Sequence, residues 1–207
     1  MLKIGVFVSG GGTNLQAIID RINDGYLSGC EIVTVISSRE GAFALERARR
    51  HDIPCIHMSR KLFGSDAEYA RTLKEHLLSV SVDLIVLAGY LSMLPEEIVD
   101  WYINKIINIH PALMPAFSGK GYYGLTPHVK VLEYGAKITG ATVHFVDGEY
   151  DHGAVIAQKA IEILDDDTPE TLQQRVMKEC EQVLLPDVIK AISEGRVKID
   201  GRKVTIM

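Results

Sequence analysis

Five short apolar runs, the first four each followed by a helical pattern, constrain the fold more than any other feature of this sequence. Their lengths and β-branched content are typical of strands, and the amphipathic segments between them are typical of helices. Strands that alternate with helices pair in parallel, because the intervening helix returns the chain to the same end of the sheet. An α/β fold with a mostly parallel sheet is therefore predicted. The runs are residues 3–8, 31–37, 55–58, 83–88 and 105–109.

The pattern changes in the C-terminal third of the chain. Residues 139–146 and 154–163 both have strand character, and only a short loop separates them. Two strands so close in sequence form a hairpin, which predicts an antiparallel C-terminal edge of the sheet. A second hairpin is predicted at 197–206. The helix that begins at Thr168 is expected to kink or to restart at Pro186.

Length and composition narrow the class of protein. We expect one domain over 1–207, with an N-terminal half of about 1–100 and a C-terminal half of about 101–207. The net charge of −5 and the absence of a Lys/Arg run argue against a nucleic-acid partner. No apolar run approaches the roughly 18 residues of a membrane span, and no signal peptide precedes the first strand. Three scattered cysteines favour a reducing cytoplasm over a disulfide scaffold.

A glycine-rich loop, residues 9–14 (SGGGTN), joins the first strand to a helix. Free N–H groups and the positive end of the helix dipole converge at such a loop, which favours an anion. No lysine follows the last glycine, as a Walker A loop requires, and Leu15 occupies the position of the third glycine of a dinucleotide motif. The loop therefore favours a phosphomonoester over a dinucleotide. The alternative is a tight turn without a ligand.

The fifth strand ends in Asn108-Ile109-His110-Pro111. Alternation along a strand places Asn108 and His110 on one face, at the carboxyl end where α/β sheets bind ligands. An amide beside a protonatable ring suits a carbonyl oxygen that becomes negative during acyl transfer. The acidic loop 147–153 is placed to orient the ring. A capping Asn and a half-exposed His, without chemistry, are the alternative.

The other histidines and the segment 116–124 give weaker indications of function. His144 alternates with Val143 and Phe145 in a predicted strand, where a core or a supporting role is expected, and His128 at a helix start is expected to be structural. The flap-like segment 116–124 is rich in glycine and aromatic residues and is expected to be mobile. No Cys/His spacing predicts zinc, and no G-x-S-x-G elbow supplies a serine nucleophile.

Three motifs together resemble one protein family. They are residues 9–18 (SGGGTNLQAI), 108–115 (NIHPALMP) and 147–153 (DGEYDHG). In this order they are similar to the folate-dependent formyltransferases, and within that family to the glycinamide ribonucleotide transformylases. The resemblance covers nearly the whole chain. It implies a Rossmann-like formyltransferase fold and formyl transfer from 10-formyltetrahydrofolate to the amine of glycinamide ribonucleotide.

The resemblance also implies roles for individual residues. Asn108 and His110 would face the formyl group, and Asp151 would pair with His110 and keep its ring charged. Ser92 and Asp66 stand where some relatives carry arginines near the folate tail. The acceptor-binding residues would be Gly11, Gly12, Thr13, Asn14 and Glu181. The folate-binding residues would be Leu91, Ser92, Met93, Leu94, Asn108 and Asp147.

The expected partners are small molecules, with no nucleic acid, no membrane and no metal, in a cytoplasmic monomer or homodimer. Three other functions remain open at this point. A formyltetrahydrofolate deformylase and a methionyl-tRNA formyltransferase would share the Asn-x-His strand. From a different class, a folate- or nucleotide-binding protein without activity would share the fold.

Overall fold

The chain divides into two compact units, Met1–Ile107 and Asn108–Met207. The computed structural model describes residues 1–207. Strands and helices alternate through the first unit, as predicted, and β5 runs across the boundary. The elements are β1 (Leu2–Val8), α1 (Thr13–Asn23), β2 (Cys30–Ser37), α2 (Phe43–Arg50), β3 (Cys55–His57), a 3-10 turn (Arg60–Leu62), α3 (Asp66–Ser79), β4 (Leu84–Leu87), α4 (Glu96–Trp101) and β5 (Ile106–His110).

In the first unit β1 lies between β2 and β4 and pairs in parallel with both, and β2 also pairs in parallel with β3. All four residues of β4 are buried, as are the last five of β1. Burial on both faces explains why these strands are apolar without alternation. The strand order reverses at β1, so the loops after β1 and β4 form a switch point of the kind where α/β sheets bind ligands.

A serine joins these two loops. Ser9, the first residue after β1, is buried, and its Oγ accepts a hydrogen bond from the Leu91 N–H at 2.8 Å. The same Oγ lies 2.6 Å from the Ser38 Oγ, just after β2. The glycine loop and the segment that begins at Leu91 are therefore held together through one hydroxyl.

The second unit contains both predicted hairpins. Its elements are α5 (Thr126–Tyr134), β6 (Ile138–Phe145), β7 (Val155–Glu162), α6 (Pro169–Arg175), a π-helical segment (Val176–Glu181), α7 (Gln182–Ser193), β8 (Val197–Asp200) and β9 (Lys203–Ile206). β6 pairs antiparallel with β7, and β8 with β9. The α/β class is thus confirmed, with a seven-stranded, mostly parallel sheet and an antiparallel C-terminal edge. No helix combines the length and the apolar character that crossing a bilayer requires.

The prediction that a new helix restarts at Pro186 is wrong. α7 begins four residues earlier, at Gln182, and continues through the proline. The irregularity is the π-helical segment Val176–Glu181, directly before α7. Pro186 lies in the second turn of α7, where its missing N–H removes only the hydrogen bond to the Gln182 carbonyl. Hydrophobic periodicity does not reveal the π-helical turn. Such a turn contains one residue more than an α-helical turn, and in the sequence this shift of the apolar pattern looks the same as a kink.

Gly12 is the residue of the glycine loop whose backbone and surroundings both require glycine. Its φ is +73°, in the left-handed region that other residues avoid. A Cβ at Gly12 would also lie 2.8 Å from the Ala44 Cα, in α2. At Gly10 and Gly11, by contrast, a Cβ would meet nothing within 4 Å. α2 therefore packs against the loop at Gly12, while the preceding two glycines border open space.

This contrast predicts different effects on stability. Gly12→Ala should lower the free energy of unfolding by more than about 1 kcal/mol, because the substitution combines a positive φ with a backbone clash. Gly10→Ala, the matched control, should change it by less than about 0.5 kcal/mol. Urea unfolding at neutral pH measures both. Equal losses in the two variants would contradict the packing of α2 against Gly12.

Candidate active site

The carboxylate of Asp151 brings the three predicted catalytic side chains together, all within the second unit. Asp151 Oδ1 accepts a hydrogen bond from the Asn108 amide at 3.3 Å, and Asp151 Oδ2 lies 3.3 Å from His110 Nδ1. Because one carboxylate reaches both side chains, Asn108 and His110 share a face of β5, as alternation predicts. Ile109 between them is buried.

Asp151 is held in an uncommon backbone conformation. Its φ is +48°, in the left-handed region, which aspartate tolerates better than most residues. Burial alone would raise the pKa of this carboxyl. The neighbouring rings of His144 and His110 and the N–H of Gly119, which donates to Oδ2 at 2.9 Å, outweigh that effect and hold the pKa below its usual value. Asp151 is therefore an anion at neutral pH.

His110 is almost fully buried, with 3% of its surface exposed. Its Nε2 lies 2.9 Å from the carbonyl oxygen of Phe117, and its Nδ1 faces Asp151. Both partners are acceptors, so a neutral ring satisfies only one of them and a protonated ring satisfies both. Burial nevertheless lowers the pKa of His110, and this effect exceeds the attraction of Asp151 and of the Phe117 carbonyl.

The expectation that Asp151 keeps His110 charged stays a prediction, and the lowered pKa of the ring opposes it. The ring is neutral at neutral pH, because desolvation penalises the imidazolium. The Asp151 carboxylate and the Phe117 carbonyl would both accept hydrogen bonds from the protonated ring and so stabilise it. This arrangement suits a group that gains its proton during a reaction.

His144 also lies in this cluster, which the sequence did not indicate. Its Nδ1 lies 2.7 Å from the Phe145 carbonyl oxygen, so Nδ1 carries a proton. The bare Nε2 then accepts from the Asn108 amide at 3.1 Å and lies 3.6 Å from Asp151 Oδ1. The alternation in β6 indicated which face His144 occupies. It did not indicate which residue of β5 stands opposite.

These contacts assign the orientation of the Asn108 amide. Its Nδ2 faces two acceptors, the Asp151 carboxylate and the His144 Nε2. An amide oxygen in that place would face a carboxylate without a hydrogen, so the amide must point its N–H groups there. A ligand oxygen that accepts from Asn108 must therefore replace one of these two protein acceptors.

The segment after β5 is anchored by the hairpin β6–β7. Thr142 Oγ1 donates to the Ala112 carbonyl at 2.7 Å and accepts from the Met114 N–H at 3.0 Å. Gln158, from β7, donates to the Met114 carbonyl at 2.9 Å. The peptide bond between Met114 and Pro115 is cis. The predicted flap begins here, and its residues Phe117 and Gly119 contact His110 and Asp151 as described above.

His128 is buried without any hydrogen-bond partner for either ring nitrogen. It lies in the first turn of α5. Burial, and secondarily the charge on His110, lower its pKa to about 4. The sequence assigned His128 a structural role, and its complete burial makes it a neutral ring inside the second unit at neutral pH.

The remaining predicted residues of the second unit lie on the hairpin loop and on the π-helical segment. Asp147 is exposed and its Oδ2 lies 2.7 Å from His152 Nδ1. Glu181 ends the π-helical segment and is 9% exposed, a low value for a carboxylate. No group of three or more His, Cys, Asp or Glu side chains is arranged to hold a metal ion.

The first unit contains the other two predicted sets. α1 begins at Thr13 after the left-handed Gly12, and no side chain caps its N-terminus. Gly11 is exposed and Asn14 is buried. In the segment after β4, Leu91, Ser92 and Met93 are exposed but Leu94 belongs to the core. Leu91 and Met93 therefore supply the apolar surface of this segment.

The chain is similar to known proteins along nearly its whole length. The family model described as formyl transferase matches residues 2–189. A chloroplastic phosphoribosylglycinamide formyltransferase of Arabidopsis thaliana is 42% identical over 95% of this chain and 67% of that protein. The phosphoribosylglycinamide formyltransferase of Haemophilus influenzae is 39% identical over 96% of this chain and 91% of that protein. The crystal structure of glycinamide ribonucleotide transformylase 1 from Symbiobacterium toebii superposes with a TM-score of 0.92, at 40% identity, covering 100% of this chain and 94% of that chain.

The buried His128 predicts how stability depends on pH. The unfolded chain takes up a proton on this residue below about pH 6.5, and the folded protein does so only near its lowered pKa of about 4. Stability should therefore fall as the pH drops through this window, by up to about 3 kcal/mol from His128. His128→Leu should lose less stability over that window than the wild type.

The measurement is urea unfolding at several pH values between 7 and 4, with the exposed His51→Leu as the matched control. Asp151, whose pKa is lowered, contributes to the loss of stability only at more acidic pH. The interpretation fails if His128→Leu and the wild type lose stability in parallel.

Proposed function

The chain belongs to the formyl transferase family, and we propose that it transfers the formyl group of 10-formyltetrahydrofolate to the amine of glycinamide ribonucleotide. The observation that carries the proposal is the cluster in which one carboxylate, Asp151, orients an amide and a buried imidazole. That cluster suits an oxygen that becomes negative during acyl transfer. The names of the similar proteins support the choice of acceptor.

The reaction is a direct attack. The neutral amine of the acceptor adds to the formyl carbon, a C–N bond forms, and the carbonyl electron pair moves to oxygen. Holding both reactants in one geometry lowers the barrier by up to about 7–11 kcal/mol. The tetrahedral intermediate then expels N10 of tetrahydrofolate, which takes up a proton as its bond to the formyl carbon breaks.

Asn108 stabilises the oxyanion of that intermediate by donating a hydrogen bond, and His110 stabilises it through the positive charge of its imidazolium. The amide exchanges one of its protein acceptors for the oxyanion, which is the stronger acceptor. The His110 ring becomes protonated as negative charge builds up, and Asp151 and the Phe117 carbonyl stabilise the imidazolium. The proton released by the attacking amine passes to this His–Asp pair, directly or through water. No covalent enzyme intermediate and no metal is part of this mechanism.

The glycine loop is assigned to the phosphate of the acceptor. The backbone of Gly11 and Gly12 and the first turn of α1, with Thr13 and Asn14, present N–H groups and the positive end of the helix dipole to a dianion. Glu181 is assigned to the acceptor amine. A carboxylate that is 9% exposed suits a polar contact in a partly dry site.

The folate is assigned to the segment Leu91–Leu94, to Asn108 and to the backbone around Asp147. The exposed Leu91 and Met93 offer apolar contact for a pterin ring. The proposal takes small molecules as the only substrates and the cytoplasm as the location, with a monomer or a homodimer as the active form. A deformylase or a methionyl-tRNA formyltransferase would use the same cluster with a different acceptor.

A competition between acceptors tests the function. Purified protein with 10-formyltetrahydrofolate should formylate glycinamide ribonucleotide, and mass spectrometry of the acceptor detects the added formyl group. Water and initiator tRNA serve as alternative acceptors in parallel reactions. Release of formate without an acceptor would instead identify a deformylase, and formylated tRNA would identify a tRNA formyltransferase.

A double-mutant cycle in kcat tests the cluster. Asn108→Ala and His110→Ala should each lower kcat by roughly 10²–10³, the typical cost of one oxyanion donor. Asp151→Asn should also slow the reaction, because it removes the charge that stabilises the imidazolium. Since His110 and Asp151 serve one event, His110→Ala/Asp151→Asn should be scarcely worse than either single variant.

The matched control is His76→Ala, which removes an imidazole of the first unit that is hydrogen-bonded to Thr34. Its kcat should stay within about threefold of the wild type. Losses at His110 and Asp151 that multiply in the double variant would mean that the two residues act independently, against the proposed pair.

A further inference from the structure

α2 holds the glycine loop by donating hydrogen bonds to two carbonyl groups of the loop. The N–H of Ala44, in the first turn of α2, donates to the Gly10 carbonyl at 3.0 Å. One turn further along, Arg47 Nε donates to the Gly11 carbonyl at 2.8 Å. Two consecutive carbonyls of the loop therefore point at the same helix.

The direction of these carbonyls sets the direction of the amides. In a planar trans peptide the C=O of one residue and the N–H of the next point in opposite directions. The N–H groups of Gly11 and Gly12 consequently point away from α2. A Cβ at Gly10 or Gly11 would meet nothing within 4 Å, so the loop is open around these two residues.

Arg47 is built into this arrangement by three contacts. Besides Gly11, its guanidinium donates through Nη1 to Gln16 Oε1, in α1, at 3.1 Å. Its Cζ lies 5.0 Å from the centre of the Phe43 ring, which restricts the plane of the guanidinium. The planar fork thus joins the loop, α1 and α2. A lysine has no such fork, because its three donors share one nitrogen.

We propose that Arg47 is the positioning residue of the phosphate site. Arg47 acts through the Gly11 carbonyl, and its guanidinium makes no contact with the phosphate in this proposal. By fixing the peptide plane between Gly11 and Gly12, Arg47 directs the Gly12 N–H toward the phosphate. The proposal rests on the proposed function, because it takes the glycine loop as the site of the acceptor phosphate. It adds a residue that the loop motif does not contain.

The test compares Arg47→Met and Arg47→Lys with Arg50→Met. Arg50 is a matched control, because it lies on the same helix and over the same Phe43 ring, at 5.4 Å, but pairs with Glu46 and not with the loop. Arg47→Met should raise the KM for glycinamide ribonucleotide and the dissociation constant for ribose 5-phosphate by roughly ten- to 100-fold. The kcat at saturation and the KM for 10-formyltetrahydrofolate should stay within about threefold.

A phosphate-free acceptor separates positioning from general damage. The dephosphorylated acceptor, glycinamide ribonucleoside, should be used equally well by the wild type and by Arg47→Met. Arg47→Lys should recover only part of the loss, since it restores the charge but not the fork. Gln16→Met, which removes the second acceptor of the fork and leaves the loop residues in place, should show a smaller loss of the same kind.

Four results would overturn the proposal. They are unchanged phosphate affinity in Arg47→Met, full recovery in Arg47→Lys, an equal loss in Arg50→Met, and an equal loss for the phosphorylated and dephosphorylated acceptors. Failure of the wild type to bind ribose 5-phosphate would overturn the phosphate assignment of the loop as well. If the wild type binds ribose 5-phosphate and Arg47→Met binds it equally well, only the proposal for Arg47 is overturned.

Discussion

One carboxylate organises the chemistry of the second unit. Asp151 accepts from the Asn108 amide and from the Gly119 backbone, and it lies beside the rings of His110 and His144. Its lowered pKa is the result of these contacts, because burial alone would have the opposite effect. The same negative charge is what lets His110 become an imidazolium in a place where desolvation keeps it neutral at rest. Without Asp151, the amide would lose an acceptor and the ring would lose its counter-charge.

The glycine loop in the first unit is organised by a different means. There the groups that would meet a ligand are backbone amides, and their direction follows from hydrogen bonds made by the carbonyls on the other side of each peptide. Side chains orient the groups of one site, and a helix orients the groups of the other. In both sites, the atoms that would touch the substrate are positioned by contacts within the protein that do not involve the substrate.

Local pattern was sufficient for the strands, which are short apolar runs, and for both hairpins, whose strands are close in sequence. It was also sufficient for the shared face of Asn108 and His110, which depends on the period of two along a strand. The role of His144 was not predictable in this way, because it depends on the register between β5 and β6. Arg47 was equally hidden, since the reach of a side chain to a loop 36 positions away leaves no trace in periodicity. A kink or a restart of the helix was predicted at Pro186, whereas the irregularity lies in the preceding π-helical segment. The lowered pKa of His110 required its burial to be known. The roles of the individual site residues stay predictions.

The anchoring of the Asn-His-Pro segment by Thr142 and Gln158 has a consequence for the order of events during synthesis. Asn108 and Asp151 are separated by 43 positions, and Met114 and Gln158 by 44. A growing chain therefore exposes the strand end well before it contains the residues that hold it. A nascent chain that stops before the hairpin carries every atom of Asn108 and His110 but none of the contacts that orient them. The loop-closure entropy of those long separations must be overcome before the cluster forms, so on the ribosome the cluster can form only after the hairpin β6–β7 has been synthesised.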